Sequence, residues 1–216
     1  MHQFTQLIEL IELVGTIAFA VSGAMTGLRK GMDMFGVCML GITAATCGGI
    51  IRDIMMGVTP PYIFTNPRFF VTSLITSLII FSPRVRYHLF SNRKRYDMTL
   101  LITDSAGLGL FTYYGVEAAI NAGFISNPFL VVTAAVITGV GGGMLRDILA
   151  GDRPYIFVKH IYACAVLIGA IVCYLIWNVV SQTACIFITS ALVFAIRMFS
   201  AYYHWSLPKA RDLDNL

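Results

Sequence analysis

The chain has 216 residues, of which 57% are hydrophobic and 12% charged, with a mean hydropathy of +0.77 and a formal net charge of +4. That composition excludes a soluble domain of ordinary make-up and points to a lipid bilayer as the solvent. The positive balance does not imply nucleic acid, because most basic residues fall in short segments between apolar runs, where membrane orientation accounts for them.

Apolar runs close to the roughly 20 residues that a spanning helix needs recur along the chain. They predict an all-α integral membrane protein of seven transmembrane helices, at 8–28, 34–51, 67–83, 97–116, 128–149, 155–178 and 183–204, in one membrane domain over 1–216 with a tail at 205–216. Before the first run, the N-terminal residues lack a basic region and a small-residue cleavage site and carry Glu9 and Glu12, so the first helix is expected to stay. Asp33 precedes the second run as a helix N-cap. Between the third and fourth runs, segment 82–96 holds Arg84, Arg86, Arg93, Lys94 and Arg95 and is expected on the cytoplasmic side. Arg29, Lys30, Arg153, Lys159, Lys209 and Arg211 then fall on the same side, which sets the N-terminus outside and the C-terminus inside. Cys38, Cys47, Cys164, Cys173 and Cys185 are scattered in apolar stretches without a CxxC pair, so they read as small hydrophobes and imply no metal site.

The chain also repeats itself. Cys47-Gly48-Gly49-Ile-Ile-Arg52-Asp53 matches Gly141-Gly142-Gly143-Met-Leu-Arg146-Asp147; Pro61-Tyr-Ile-Phe matches Pro154-Tyr-Ile-Phe; and Glu12 to Phe19 aligns with Asp104 to Phe111. Each half, 8–83 and 97–178, has an odd number of spans, so the second must be inverted relative to the first, with 183–204 as a seventh helix outside the repeat.

Two readings are open for each motif. The glycine runs either unwind their helices and present backbone dipoles to a pathway, or allow close helix packing. Arg52, Asp53, Arg146 and Asp147 are charges where charge is expensive, hence gate or ion-pair candidates, or else they brace helix ends. Because adjacent residues on a helix diverge, each arginine is expected to reach a group elsewhere, with Glu12 and Asp104 as possible partners. Those two carboxylates bind a passing cation or neutralise an arginine. Arg197 is a further buried charge. No GxxxxGK[ST], HExxH or GxSxG occurs, and His2, His88, His160 and His204 are isolated, so neither an enzyme nor a cofactor is expected.

The doubled GGxxRD blocks, Glu12-Leu-Val-Gly-Thr-Ile-Ala-Phe-Ala-Val-Ser-Gly, Lys30-Gly-Met-Asp33 and Asp104-Ser-Ala-Gly-Leu-Gly-Leu-Phe resemble the prokaryotic trimeric intracellular cation (TRIC) channel family, whose sequences are also labelled glycine-transporter-like. The resemblance covers about 8–204. It implies a homotrimer in the cytoplasmic membrane, with one pore per subunit for potassium and less selectively sodium, between kinked second and fifth spans. Cys47 departs from the pattern by replacing the first glycine of the first block. The competing function is a carrier for glycine or a similar small zwitterion, which would use the same inverted halves.

Overall fold

The computed structural model describes residues 2–158 and 161–205, with side chains for 9–157 and 161–205. Lys159, His160, Lys209, Arg211, the side chain of His2 and the tail from 206 lie outside the described residues. Among the described residues the regular structure is all helical: α1 His2–Arg29, α2 Met34–Met55, α3 Tyr62–Thr65, α4 Arg68–Phe81, α5 Pro83–Phe90, α6 Arg93–Ala119 followed by a π-helical turn Ile120–Phe124, α7 Pro128–Leu149, α8 Tyr155–Val158, α9 Ala163–Ile176 and α10 Gln182–Tyr202.

Local chemistry sets the ends of the long helices. Asp33 caps α2 as predicted, its Oδ1 accepting from Gly36 N at 2.8 Å. Asn127 does the same for α7, accepting from Leu130 N at 3.1 Å with Pro128 in the first turn. Gly57 and Gly151 stop α2 and α7 with φ of +74° and +67°, a left-handed conformation that side chains with a Cβ resist.

Glu9–Arg29, Met34–Met55, Pro128–Leu149 and Gln182–Tyr202 are each long and apolar enough to cross a membrane, and α4 with α5 makes a fifth if the pair, bent by 70°, is one span. Two predicted runs look different in the fold. The run 97–116 is the middle of α6, which has 27 residues but opens on Arg93-Lys94-Arg95. The run 155–178 is divided, with α8 tucked against the end of α7 and α9 only 14 residues long.

The core is organised around α2 and α7, which pack against each other, with α1 against α2 and α6, and α6 against α7 and α10. At the α2–α7 crossing the backbones touch. A Cβ on Gly48 would run into the Thr138 carbonyl oxygen, a Cβ on Gly142 would run into that of Ala44, and a Cβ on Gly141 would stand 3.3 Å from Gly48 Cα. The two blocked pairs, 44 with 142 and 48 with 138, exchange under the 94-residue offset that relates Arg52 to Arg146. Both helices run through these glycines without unwinding. The expectation of broken backbone is therefore corrected: the small residues serve close approach, and the main-chain groups stay within the helices. Among the glycines of the two repeated runs, Gly49 alone has room to spare, the nearest atom to its would-be Cβ being Arg52 Nη2 at 3.7 Å.

Candidate functional site

The two repeated motifs fold alike. Arg52 turns back along the end of α2 so that Nε and Nη2 donate to Asp53 Oδ1 at 2.9 and 2.8 Å, while Asp53 Oδ2 accepts from Tyr62 N, the first residue of α3, at 2.9 Å. Arg146 Nε donates to Asp147 Oδ1 at 2.8 Å, and Asp147 Oδ2 accepts from Tyr155 N at the start of α8 at 2.9 Å. Each aspartate thus ties an arginine to the short helix beyond the turn. The expectation that adjacent residues would not pair is overturned, because an arginine in the last turn is long enough to fold round the helix end.

Beyond that shared core the two ends differ. Arg146 is 1% exposed, and its Nη1 also donates to Asp104 Oδ1 at 2.7 Å and to Ser22 Oγ, which itself donates to Asp104 at 3.3 Å. Its guanidinium sits 5.3 Å from the Tyr155 ring centroid. Asp104 is therefore the partner the sequence suggested. Among the described residues no ion pair joins Glu12 to Arg52; Glu12 instead lines the same cavity of ≈ 420 Å³ with Arg52, Asp53, Tyr62, Glu117 and Asn121. Gly49 and Thr46 border a small extension of ≈ 40 Å³ from it, reaching toward the crossing. Cys47 is half-buried beside this region.

A second cavity of ≈ 400 Å³ lies at the other end of the bundle, lined by Arg29, Arg93, Asp97, Asp104, Tyr155 and Arg197. At its surface Asp152 accepts from Arg29 Nη2 at 2.7 Å and Lys30 Nζ at 2.6 Å. Burial raises the Asp152 pKa, but the bonds and charges of Lys30 and Arg29 outweigh it and hold the carboxyl below the usual range. Gly143 also faces this end, where a Cβ would meet Tyr162 Oη at 3.0 Å.

Sequence reasoning missed Ser22, Tyr162 and Glu117 as neighbours of the charged groups. Tyr62 and Tyr155 carried a signal in the repeated Pro-Tyr-Ile-Phe blocks, although what the aspartates use is the main-chain amide.

Long apolar helices, with buried arginine–aspartate clusters at both ends of a central pair, define a multi-pass membrane protein built around polar cavities. The sequence model of the family described as "Glycine transporter" matches residues 9–83 and 101–178. The UPF0126 inner membrane protein YadS of Escherichia coli K12 is 34% identical over 206 residues, 94% of this chain and 95% of its own. Among solved structures, a prokaryotic TRIC channel crystallised in 0.5 M KCl is 32% identical, with a TM-score of 0.84 over 94% of this chain and 100% of that one. The TRIC trimeric intracellular cation channel orthologue from Rhodobacter sphaeroides is 29% identical, with a TM-score of 0.80 over 92% and 98% of the two chains. The chain belongs to the prokaryotic TRIC channel family, the same family that the glycine transporter model describes.

Proposed function

We propose that the chain is a monovalent cation channel, permeable to potassium and less selectively to sodium, working as a homotrimer with one pathway per subunit between α2 and α7. The observation that carries this reading is the charged cavity around Glu12, Arg52 and Asp53 on one side of the Gly48–Gly142 crossing, with the Arg146–Asp104 cluster on the other, in a chain whose structural neighbours are cation channels. The crossing is the closed waist of the pathway, and conduction requires α2 and α7 to part there.

A bare arginine beside such a pathway would repel a cation. Asp53 neutralises Arg52, and Asp104 and Asp147 together outnumber the single charge of Arg146, while Glu12 and Glu117 add carboxyl oxygens to the first cavity. Arg146, held by two carboxylates and Ser22, is the brace. Arg52, with one carboxylate and a cavity beside it, is the movable member and the gate candidate. The matched Asp–amide links and the reciprocal glycine contacts support two inverted repeats, α1–α2–α4 and α6–α7–α9, with α10 as the seventh span. The basic 82–96 segment supports a cytoplasmic-membrane orientation with the N-terminus outside.

Single-channel recording of purified protein in planar bilayers under a potassium gradient tests the proposal. Unitary currents reversing near the potassium potential are expected. Absence of current, together with glycine counterflow in liposomes, would refute the channel in favour of a carrier.

A further inference from the structure

The stretch 83–97 carries positive charge that the fold does not cancel. Arg84, Arg86, Arg93, Lys94 and Arg95 are all exposed, Asp97 is the only acidic residue in the stretch, and none of the five cations forms an ion pair among the described residues. Arg29 and Lys30, at the end of α1, differ in sharing Asp152. Arg95 Nη1 donates to the His88 carbonyl oxygen at 3.1 Å, and the Arg86 guanidinium lies 6.0 Å from the Phe81 ring centroid, contacts that hold the side chains without neutralising them. Retention on one side of the membrane accounts for the presence of these charges, but not for where the fold puts Arg86.

Arg86 lines a groove of ≈ 560 Å³ with Leu28, Pro83, Tyr87, Phe90 and Ser91, so the groove lies between the end of α1 and α5. Its walls are aliphatic and aromatic and open to the outside, Tyr87 being 80% and Phe90 38% exposed. The Ser91 hydroxyl donates to the His88 carbonyl oxygen at 3.0 Å, which leaves Arg86 as the charged donor of the groove. α4 leads into α5 through a bend of 70°, and its outward stripe of Val71, Ile75, Leu78 and Ile79, all exposed, ends about one turn before Pro83. In a bilayer that stripe faces acyl chains, and a bend followed by cations marks the level of the headgroups. An occupant must therefore offer an anion to Arg86 and an apolar body to Leu28, Tyr87 and Phe90. A free inorganic anion lacks the body, and a zwitterionic phospholipid brings an ammonium to a stretch whose cations are already uncompensated.

We propose that this groove binds an anionic phospholipid of the adjoining leaflet. The phosphate accepts from Arg86, the glycerol and first methylenes lie on Leu28, Tyr87 and Phe90, and the acyl chains continue along the stripe of α4. The groove shares no lining residue with the cavity around Arg52 or with the one that Asp104 lines, so the site holds whether or not the α2–α7 pathway conducts.

The test uses delipidated protein in neutral detergent at fixed ionic strength, titrated with phosphatidylglycerol, phosphatidylcholine or water-soluble glycerophosphoglycerol. The unfolding midpoint is followed, and native mass spectrometry counts the lipid retained per chain. A saturable rise in midpoint with retained lipid is expected for phosphatidylglycerol, and neither for the other two. Arg86→Gln should raise the half-saturating concentration about fivefold, the loss of one cation beside an anionic headgroup. Tyr87→Ala changes a side chain that is 80% exposed, so it should weaken binding while leaving the lipid-free midpoint in place. Lys94→Gln removes the same charge from outside the groove and should weaken binding by no more than about twofold. An equal response to phosphatidylcholine or to the free headgroup, equal losses in Arg86→Gln and Lys94→Gln, or undiminished binding in Tyr87→Ala would overturn the assignment.

Discussion

Replacing Gly48 by alanine adds one methyl group at the point where α2 and α7 touch, and the consequence can be worked out from the neighbours. The new Cβ would press into the Thr138 carbonyl oxygen, with the carbonyl carbon only 3.1 Å away. Both are main chain, so no rotamer change relieves the clash and the helices must separate. Overpacking of a tight core costs about 1–3 kcal/mol, and a backbone obstacle places Gly48→Ala at or beyond the top of that range. Gly49→Ala is the internal control one residue along the same helix. Its Cβ meets only the end of a flexible arginine at 3.7 Å, and a helix-interior glycine exchanged for alanine gains about 0.5–1 kcal/mol. The two variants should therefore move the unfolding midpoint in detergent in opposite directions. Gly142→Ala, facing the Ala44 oxygen, should match Gly48→Ala, and the double variant should cost less than the sum because the first substitution already parts the helices. If Gly48→Ala is as stable as Gly49→Ala, the close-contact account of the crossing is wrong.

The charged ends separate in the same way. Asp104→Ala leaves Arg146 short of one of its carboxylates and should destabilise by about 3–5 kcal/mol, whereas Glu12→Gln, which touches no ion pair among the described residues, should change stability little; chemical denaturation compares them. In bilayer recordings Arg52→Ala should alter open probability in a folded protein, while Arg146→Ala should chiefly lower the yield of folded protein; unchanged gating in Arg52→Ala would remove it as the gate. Asp152 has a depressed folded-state pKa, so its stabilising contribution is complete above the ordinary carboxylate value of about 3.9 and is lost as pH falls through the lower folded value. The midpoint difference between the natural protein and Asp152→Asn should accordingly be visible at pH 6, shrink as the medium is acidified below about pH 4, and diminish in high salt.

Much of the site was legible because the gene repeats it. Two GGxxRD blocks and two Pro-Tyr-Ile-Phe blocks, in the same order, singled out Arg52, Asp53, Arg146 and Asp147 before any coordinates. What the repeat could not reveal is how the copies diverge. Asp104 reaches Arg146 while the aligned Glu12 does not bond Arg52, because one end is closed by Ser22 of α1 and the other opens into a cavity. The adjacent-residue pairing was misjudged for a local reason, since the rule that neighbours diverge holds along a helix and relaxes where a long side chain can turn round its end.

The sequence by itself determined the solvent, the helical class, the duplicated charged motifs and the Asp33 cap, since these depend on composition and on residues close in the chain. Only the tertiary structure decided that the glycines let α2 and α7 touch without unwinding, that the sixth apolar run is divided between α8 and α9, and that Arg146 takes both Asp104 and Asp147. Those outcomes turn on which backbone lies opposite which residue, a relation between segments far apart in the chain that periodicity within one segment does not encode.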